Sequence, residues 1–594
     1  MLLLLLVAVS ALLYLFYSST CRKPKGFPPG PKWWPVVGSA LEISRLRKSR
    51  GCLYETLTVL FEKYGRIFGL KIGTDRIVVL NDYETIHSML TNEDCDGRPT
   101  GPFYETRTWG ERLGVLVTDG PLWVEQRRFI LRHLREFGFG RVTMASLVQE
   151  EAVHLVDHLQ KLFEAKDDPG TKEPRAEGDA AEVANSGQIY QLGGGDRGKK
   201  RNRATEDLNA VADDAPGLKG ALKIEDMYVK PETYDEIRKL SRSCGVIVPV
   251  HDAFGVSVLN TLWGMVAGKR YRNDDRELIY LQSILTKLFK DIDMVGCLFS
   301  HFPTLRYVAP VMSGYKQFVD IHRQLWVFLN KELDNHKATF NPNHLRDLMD
   351  AYINILQTEH GESYSETQLL ATCIDLFMAG SETTSKSLST CFLYLVLYPS
   401  VQEKAQKEID EVVGRDRTPT LADRPRMPYM DAIVLESLRM FAGRNMSIPH
   451  RALRDTIIAG YRIPKVMLLV RGAPGWNDSQ ARFYFQDTML VLNFNRLLMD
   501  ESWGDPEVFR PERFINDEGS ITVPSRYIPF GHGKHRCMGE LLAKSNIFLL
   551  TAALLQKFKF SPVPGEDKPL VEFVDGVTAC PKPYRALVTF RSDH

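Results

Sequence analysis

The stretch FGHGKHRCMG, residues 530 to 539, sets Cys537 in a tight basic turn with glycines at 531, 533 and 539. Glycines at this density let a backbone fold sharply or press close against a bound group. The run that follows, MGELLAKSNIFLLTAALLQKF, reads as a final helix. Cys537 therefore stands at a helix N-terminus, where free N–H groups and the helix dipole favour a thiolate. Lys534, His535 and Arg536 add positive charge, which favours the thiolate further and suits the carboxylates of a bound group. A lone thiolate serves as a cysteine nucleophile or as a single axial ligand to a metal. A buried structural cysteine with basic surface neighbours has the same local sequence, and this stretch alone does not choose.

Three further constellations carry chemistry-bearing side chains. AGSETT (379–384) brings Glu382, Thr383 and Thr384 into an otherwise apolar helical run beside Gly380, a residue that costs a helix interior up to ~1 kcal/mol against Ala. This is either a groove for a small ligand and a proton relay, or hydroxyls bonded back to their own helix. ESLR (436–439) sets Glu436 and Arg439 three apart, with PERF (511–514) downstream. Such a pair is worth only ~0.2–0.5 kcal/mol when exposed and by itself is surface decoration. WVEQR (123–127) puts Trp123 and Arg127 on one helix face, in a helix that Arg128, Arg132, His133 and Arg135 make basic. GGGDRG (193–198) imitates a dinucleotide-binding loop, but KKRNRATEDLN follows it, with no amphipathic helix, and Lys200 stands where a phosphate loop needs Ser or Thr. It reads as a flexible loop.

These residues need elements to position them. SETQLLATCIDLFMAGSETTSKSLSTCFLYLVLY (365–398) opens on a Ser-x-x-Gln capping pattern, stops at Pro399 and is apolar nearly all round, as in a helix through the core of a large domain. GLKIGTDRIVVLND (69–82) reads as a hairpin; residues 246 to 440 are strongly helical, and short strands follow 448. The fold class is predominantly α with small β-sheets. Residues 166–245, charged and without periodicity, read as a disordered insertion. The composition, 44% hydrophobic and 25% charged, is that of a globular protein, and a net charge of +1 argues against nucleic acid. Nine scattered cysteines with no CxxC pair exclude a zinc ribbon and a disulfide framework and place the bulk of the chain in a reducing compartment. The start, MLLLLLVAVSALLYLFYSST, lacks a basic n-region and is followed by Arg22, Lys23 and Lys25. It reads as an uncleaved anchor over residues 1–21 with the rest of the chain cytosolic. Residues 22–38, with Pro28, Pro29, Pro31 and Pro35, form a stiff hinge, and Trp33 and Trp34 suit a membrane interface.

WxxxR, AGxETT, ExxR, PERF and FxxGxxxCxG occur in this order behind an anchor and a proline hinge. In this the chain resembles a microsomal cytochrome P450, and GRP (97–99), FGFGR (137–141) and DESWGDPEVFRPERF (500–514) are similar to the animal clan of drug-metabolising enzymes and arthropod hormone hydroxylases. The resemblance implies the cytochrome P450 fold over residues 39–594, with haem b ligated by the Cys537 thiolate and Phe530 packed near the ligand loop. Trp123, Arg127 and His450 match positions that hold the haem propionates. His535 stands where the family commonly has Arg, which makes that contact weaker or pH-sensitive. Glu382 and Thr383 match the acid–alcohol pair that delivers protons during oxygen activation, and Glu436, Arg439 and Arg513 match a buried structural triad. The substrate pocket is expected between residues 100–118, 295–312, 372–384, 443–448 and the turn near 575. Its apolar lining implies a lipophilic substrate, hormone-, sterol-, terpenoid- or xenobiotic-like. With no flavin or nicotinamide motif in the chain, electrons from NADPH arrive through NADPH–cytochrome P450 reductase, with cytochrome b5 as a further partner, at the endoplasmic reticulum membrane. The basic helix over 127–135, with Lys534, offers an acidic donor a face. A haem-thiolate isomerase or dehydratase, or a haem-binding sensor, are the competing readings; dependence on NADPH and O2 separates them.

One stretch departs from the pattern. Removing VMLLVRGAPGWNDSQARFYFQ (466–486) leaves GYRIPKDTMLVLNFNRLLMDESW, an uninterrupted family match. Val codons begin GT, one Gln codon is CAG, and twenty-one codons keep the frame, so the stretch reads as a retained intron, the alternative being a genuine surface loop of modest closure entropy. Its apolar ends, Val466–Val470 and Phe483–Phe485, would have little core to bury them in a loop leaving a hairpin.

Overall fold

Ser365 opens a helix of 32 residues, its Oγ accepting from the Gln368 N–H at 3.0 Å, as the capping pattern predicts. The Gln368 side chain does not complete a reciprocal box. It bonds to the backbone of Gly114 instead, accepting from its N–H at 3.0 Å and donating to its carbonyl at 3.3 Å. In this computed structural model, which describes Tyr17 and residues 21–167, 245–292, 296–358, 363–465 and 488–591, the helix is buried over most of its circumference. The anchor (but for Tyr17 and Cys21), all but the edges of the 166–245 insertion and the 466–486 stretch lie outside the described residues. No described helix is long and apolar enough to cross a membrane.

Numbered along the chain, the helices that matter for the site are α1 (Gly120–Glu136), α2 (Gly255–Val266), α3 (Arg276–Asp291), α4, the long helix itself (Glu366–Leu397), α5 (Pro428–Ala442) and α6 (Glu540–Lys557). Helices α2, α5 and α6 pack on α4. Gly380 permits the closest of these approaches: a Cβ there would lie 2.3 Å from Leu262 Cδ2 of α2. Pro399 occupies the first turn of the next helix, where its missing N–H has no cost, so it separates two helices rather than breaking one.

The predicted hairpin is present. Strands β1 (Ile67–Ile72) and β2 (Asp75–Leu80) pair antiparallel across a Gly73–Thr74 turn, with Ile72 opposite Asp75. β3 (His450–Arg451) and β6 (Met489–Leu492) complete a sheet of order β1-β2-β6-β3, in which β6 runs parallel to β2 and antiparallel to β3. Phe68, Leu70, Ile77, Val79, Met489 and Val491 turn one face of it to a core with Leu57 and Leu60. Between β3 and β6, β4 (Thr456–Ile458) and β5 (Tyr461–Ile463) form a second hairpin. Its turn, Ala459–Gly460, has positive φ at both residues, 47° and 84°, the type I′ geometry that matches strand twist.

The structure is thus mostly helical with small sheets, as expected. Compactness divides the chain into residues 1–156 with 247–594, and Asp157–Val246. All the residues discussed below belong to the first of these units. The second is described only over 157–167 and at Gly245–Val246.

Candidate active site

The cysteine loop is closed by the Cys537 N–H donating to the Phe530 carbonyl at 3.0 Å, with Arg536 N–H on Gly533 O at 3.2 Å. Gly533 has φ +74°, and a Cβ there would meet Leu90 O at 2.4 Å, so no other residue fits. Cys537 keeps accessible surface yet has protein crowded around it, as a side chain lining a recess does. That crowding governs the thiol: burial raises its pKa, against the N–H groups of Gly539 and Glu540 at the start of α6 and the Arg127 charge, which lower it. The neighbouring cations contribute less than the sequence suggested. Lys534 pairs with Glu93 at 2.6 Å and Asp96 at 3.3 Å, and Arg536 pairs with Glu540 at 2.8 Å. Both are engaged at the surface, which also removes Lys534 as a free charge for a docking partner. Phe530 is half-buried, with the Lys544 ammonium 5.6 Å from its ring centre.

Trp123, Arg127, His450 and His535, far apart in sequence, come together beside this loop. α1 carries Trp123 and Arg127 on one face, the guanidinium 5.4 Å from the indole, and Arg127 Nη2 donates to the Arg536 carbonyl at 2.6 Å. The His535 ring lies 4.1 Å from Trp123 and 5.3 Å, edge-on, from His450. Each imidazole is fixed by a carbonyl: His535 Nε2 lies 2.8 Å from Asp96 O, and His450 Nδ1 lies 3.1 Å from Cys95 O. Burial, then the nearby Arg98, pushes the His535 pKa down to about 3, and the same causes hold His450 well below the usual histidine range. The polypeptide around them thus favours the neutral imidazole at both positions.

Arg98 completes this cluster and was not singled out from the sequence, where it was only the middle of GRP. It is buried, donates from Nη1 to the carbonyls of Ile448 and Pro449 at 3.1 and 3.0 Å, and has no hydrogen-bond partner at Nε. Burial lowers its pKa to about 10, which still leaves it charged. Asp119 accepts from its backbone N–H and pairs its carboxylate with Arg112 and Arg451 instead. A buried guanidinium bonded only to neutral carbonyls, with a second at Arg127, fits an acidic group presenting carboxylates to this corner.

On α4, Glu382 is buried and accepts from the Thr286 hydroxyl at 3.1 Å. Burial raises its pKa, partly countered by Lys386. Thr383 is half-buried and donates to its own helix at Ala379 O, 2.7 Å away; no hydrogen bond joins it to Glu382 among the described residues. The notch at Gly380 is taken on its Cβ side by Leu262. Asp375, two turns before Glu382, pairs with Arg107 and accepts from the N–H groups of Val115 and Leu116 at 2.6 and 2.8 Å. The loop expected to wall a pocket is thereby pinned to α4. Residues of 296–312 line a cavity of about 650 Å³ with residues of 40–57, β1, β2 and the end of α3, and nothing from 372–384 borders it.

Comparison with known proteins accounts for this arrangement. The profile of the family "Cytochrome P450" matches residues 28–174, 219–470 and 484–588. The chain is 40% identical over 581 residues to "Probable cytochrome P450 303a1" of Drosophila melanogaster, covering 96% of this chain and 95% of the relative. It is 30% identical over 587 residues to "Farnesoate epoxidase" of Bombyx mori, covering 97% and 98%, and 28% identical over 589 residues to "Cytochrome P450 2J1" of Oryctolagus cuniculus, covering 98% and 95%. Similarity along the whole length, joined to a cysteine loop ahead of the last helix, makes the chain a member of the cytochrome P450 family and a monooxygenase.

Proposed function

We propose that this enzyme inserts one oxygen atom from O2 into a lipophilic small molecule, with electrons from NADPH delivered by NADPH–cytochrome P450 reductase at the cytosolic face of the endoplasmic reticulum. Haem b, when bound, supplies the oxygen chemistry, and a thiolate ligand favours cleavage of the O–O bond. Cys537 would be that ligand, with Phe530 beside it. Trp123, Arg127, His450 and His535, joined by Arg98, would hold the propionates. The observation that carries this is the convergence of two guanidinium groups and two neutral imidazoles next to the cysteine loop, with Arg98 Nε lacking a partner. With both histidines neutral and each giving its single N–H to a carbonyl, the two arginines would supply both the charge and the hydrogen bonds, and the rings would pack beside them. The test is the reduced protein under CO: the red-shifted Soret band of thiolate ligation is expected, and its survival in Cys537→Ser would overturn the assignment.

Glu382 and Thr383 would move protons in this scheme, and the retained Thr383 favours oxygenation over a reductase-independent isomerisation or dehydration. Product that forms without NADPH and O2 would decide for the latter. For the substrate, a relative named for epoxidising farnesoate makes acyclic terpenoid acids and esters the first set to screen by displacement of haem-bound water.

A further inference from the structure

Lys386 is a charge inside α4 that the foregoing scheme does not use. Its side chain is 7% exposed, and its Nζ donates to Asp252 Oδ1 at 2.9 Å. It follows Glu382 by four residues, so the two share one helix face with Cβ atoms about 5–6 Å apart. Asp252 ends the 3-10 turn Val250–Asp252, which packs on α4, and its side chain is 63% exposed. His251 Nε2 lies 3.2 Å from Asp252 Oδ2, and His251 Nδ1 lies 3.1 Å from Tyr584 O. The contacts His251–Asp252–Lys386 therefore reach from the surface to within one helical turn of the buried Glu382. From the other elements packed around it, Glu382 faces Thr286 and Lys290 of α3, and Lys386 faces Cys580 on the strand Cys580–Pro581.

A buried ammonium costs several kcal/mol unless it is paired. A lysine needed only to pin the 3-10 turn could sit at the helix surface. This one lies within the helix core, between a solvated carboxylate and a buried one. We infer that Lys386, tied to solvent through Asp252, is a positioning residue that keeps Glu382 ready to take up protons from water. The inference rests on the proposed proton role of Glu382. A group that relays protons has to accept as well as give them, and burial favours the protonated form of Glu382; the Lys386 charge opposes that. Glu382 takes each replacement proton from hydrated protons of the bulk, and the Lys386 ammonium keeps its own throughout, so charge balances and no redox partner is involved.

The test uses the full-length holoenzyme with its reductase, the CO band serving as the check on folding. Glu382→Gln comes first. If it leaves product per NADPH unchanged, the role of Glu382 falls, and this inference with it. If it diverts electrons to peroxide, Lys386→Met is expected to cut product per NADPH about three- to tenfold and to enlarge the solvent isotope effect. Lys386→Arg should restore most of the loss, since it keeps the charge. A second readout needs no turnover. In the resting protein the infrared band of the protonated carboxyl that Glu382→Gln abolishes should appear in Lys386→Met at a pH about one unit higher. Wild-type coupling and an unmoved carboxyl titration in Lys386→Met, with Glu382→Gln uncoupled, would overturn the inference and leave the Glu382 role standing. Should Lys386→Met fail to give the CO band, Lys386→Gln decides by the same two criteria.

Discussion

Arg439 has no exposed surface, and it remains there as a cation because every face of its guanidinium is answered. Nε and Nη2 donate to Glu436 at 2.7 and 2.8 Å, Nη1 to Leu498 O at 2.8 Å and Nη2 also to Pro506 O at 2.8 Å. Glu436 in turn accepts from Arg513 Nε at 3.0 Å and the Arg510 N–H at 2.9 Å. The i, i+3 pair that sequence alone reads as decoration is therefore a sealed network linking α5 to the 3-10 turn Pro511–Phe514. Replacing one partner leaves the others buried and uncompensated, which typically costs 3–5 kcal/mol, roughly a third or more of a domain's stability. Glu436→Gln should lower the denaturant midpoint accordingly and deplete the CO-binding fraction; a midpoint within error of wild type would mean that the network is dispensable. His322 shows the opposite solution, burial without charge. Its Nδ1 lies 2.8 Å from Phe318 O and its ring 4.2 Å from the Phe318 ring, and burial, then Arg107, holds its pKa at about 4. Unfolding restores a value near 6.5, so as pH falls the unfolded chain takes up this proton first. His322 thus contributes fully above pH ~6.5, and its contribution drains away toward pH ~4 with a slope approaching ~1.4 kcal/mol per unit. Unfolding measured between pH 7 and 4.5 should show a shallower loss in His322→Asn than in wild type, whatever that variant's absolute stability.

At the scale of elements, what was legible was local. Ser365 and Gln368 mark the start of α4, Gly73–Thr74 marks a hairpin, and FxxGxxxCxG marks the loop ahead of α6, because cap, turn and ligand loop each depend on neighbours in sequence. The pairings that hold these elements to one another were not legible: Arg107 with Asp375 across 268 positions and Asp252 with Lys386 across 134. Nothing local distinguishes such an Arg or Asp from a surface charge. Lys386 did leave a trace, a lysine inside an apolar helix, which by composition alone reads as a solvated flank. The 466–486 stretch was legible for a different reason, that it interrupts a pattern. Thr488 Oγ1 donates to Pro464 O at 2.7 Å and Thr488 O accepts from Ala452 N–H at 3.2 Å, so the chain re-enters β6 beside the point where it left β5. The gap is one that a short turn spans, and closing a long loop there adds only a slowly growing entropy cost. We expect a protein lacking 466–486, with Lys465 joined to Asp487, to retain the CO band and to resist unfolding at least as well as the full chain. Loss of the band would show that the stretch supports the fold. Sequencing of the mature transcript checks the intron reading separately: a dominant message that carries these codons refutes it.

For the whole molecule, a net charge of +1 provides little general attraction to an anionic leaflet, so attachment has to be apolar and local. The proposed anchor over residues 1–21 is one such device. A second candidate is visible on the surface after the short helix Leu305–Val308, where Tyr307, Val308, Val311 and Met312 are 73, 77, 72 and 83% exposed. A soluble surface scatters single apolar residues, but four at this exposure within six positions make a patch that water solvates poorly. Met312 also lines the 650 Å³ cavity, so the patch borders the edge of that cavity. Stable membrane attachment generally needs two moderate signals, or one that spans. If the patch is the second signal, deleting residues 1–21 should move only part of the protein from the microsomal pellet to the supernatant. The remainder should resist high salt, since apolar contact is not screened. Adding Val311→Glu and Met312→Glu to the deletion should release most of that remainder while the CO band is unchanged, because both side chains are mostly exposed. Complete release by the deletion alone would leave the patch without a membrane role, and a salt-resistant pellet from the triple change would place the second contact elsewhere on the surface.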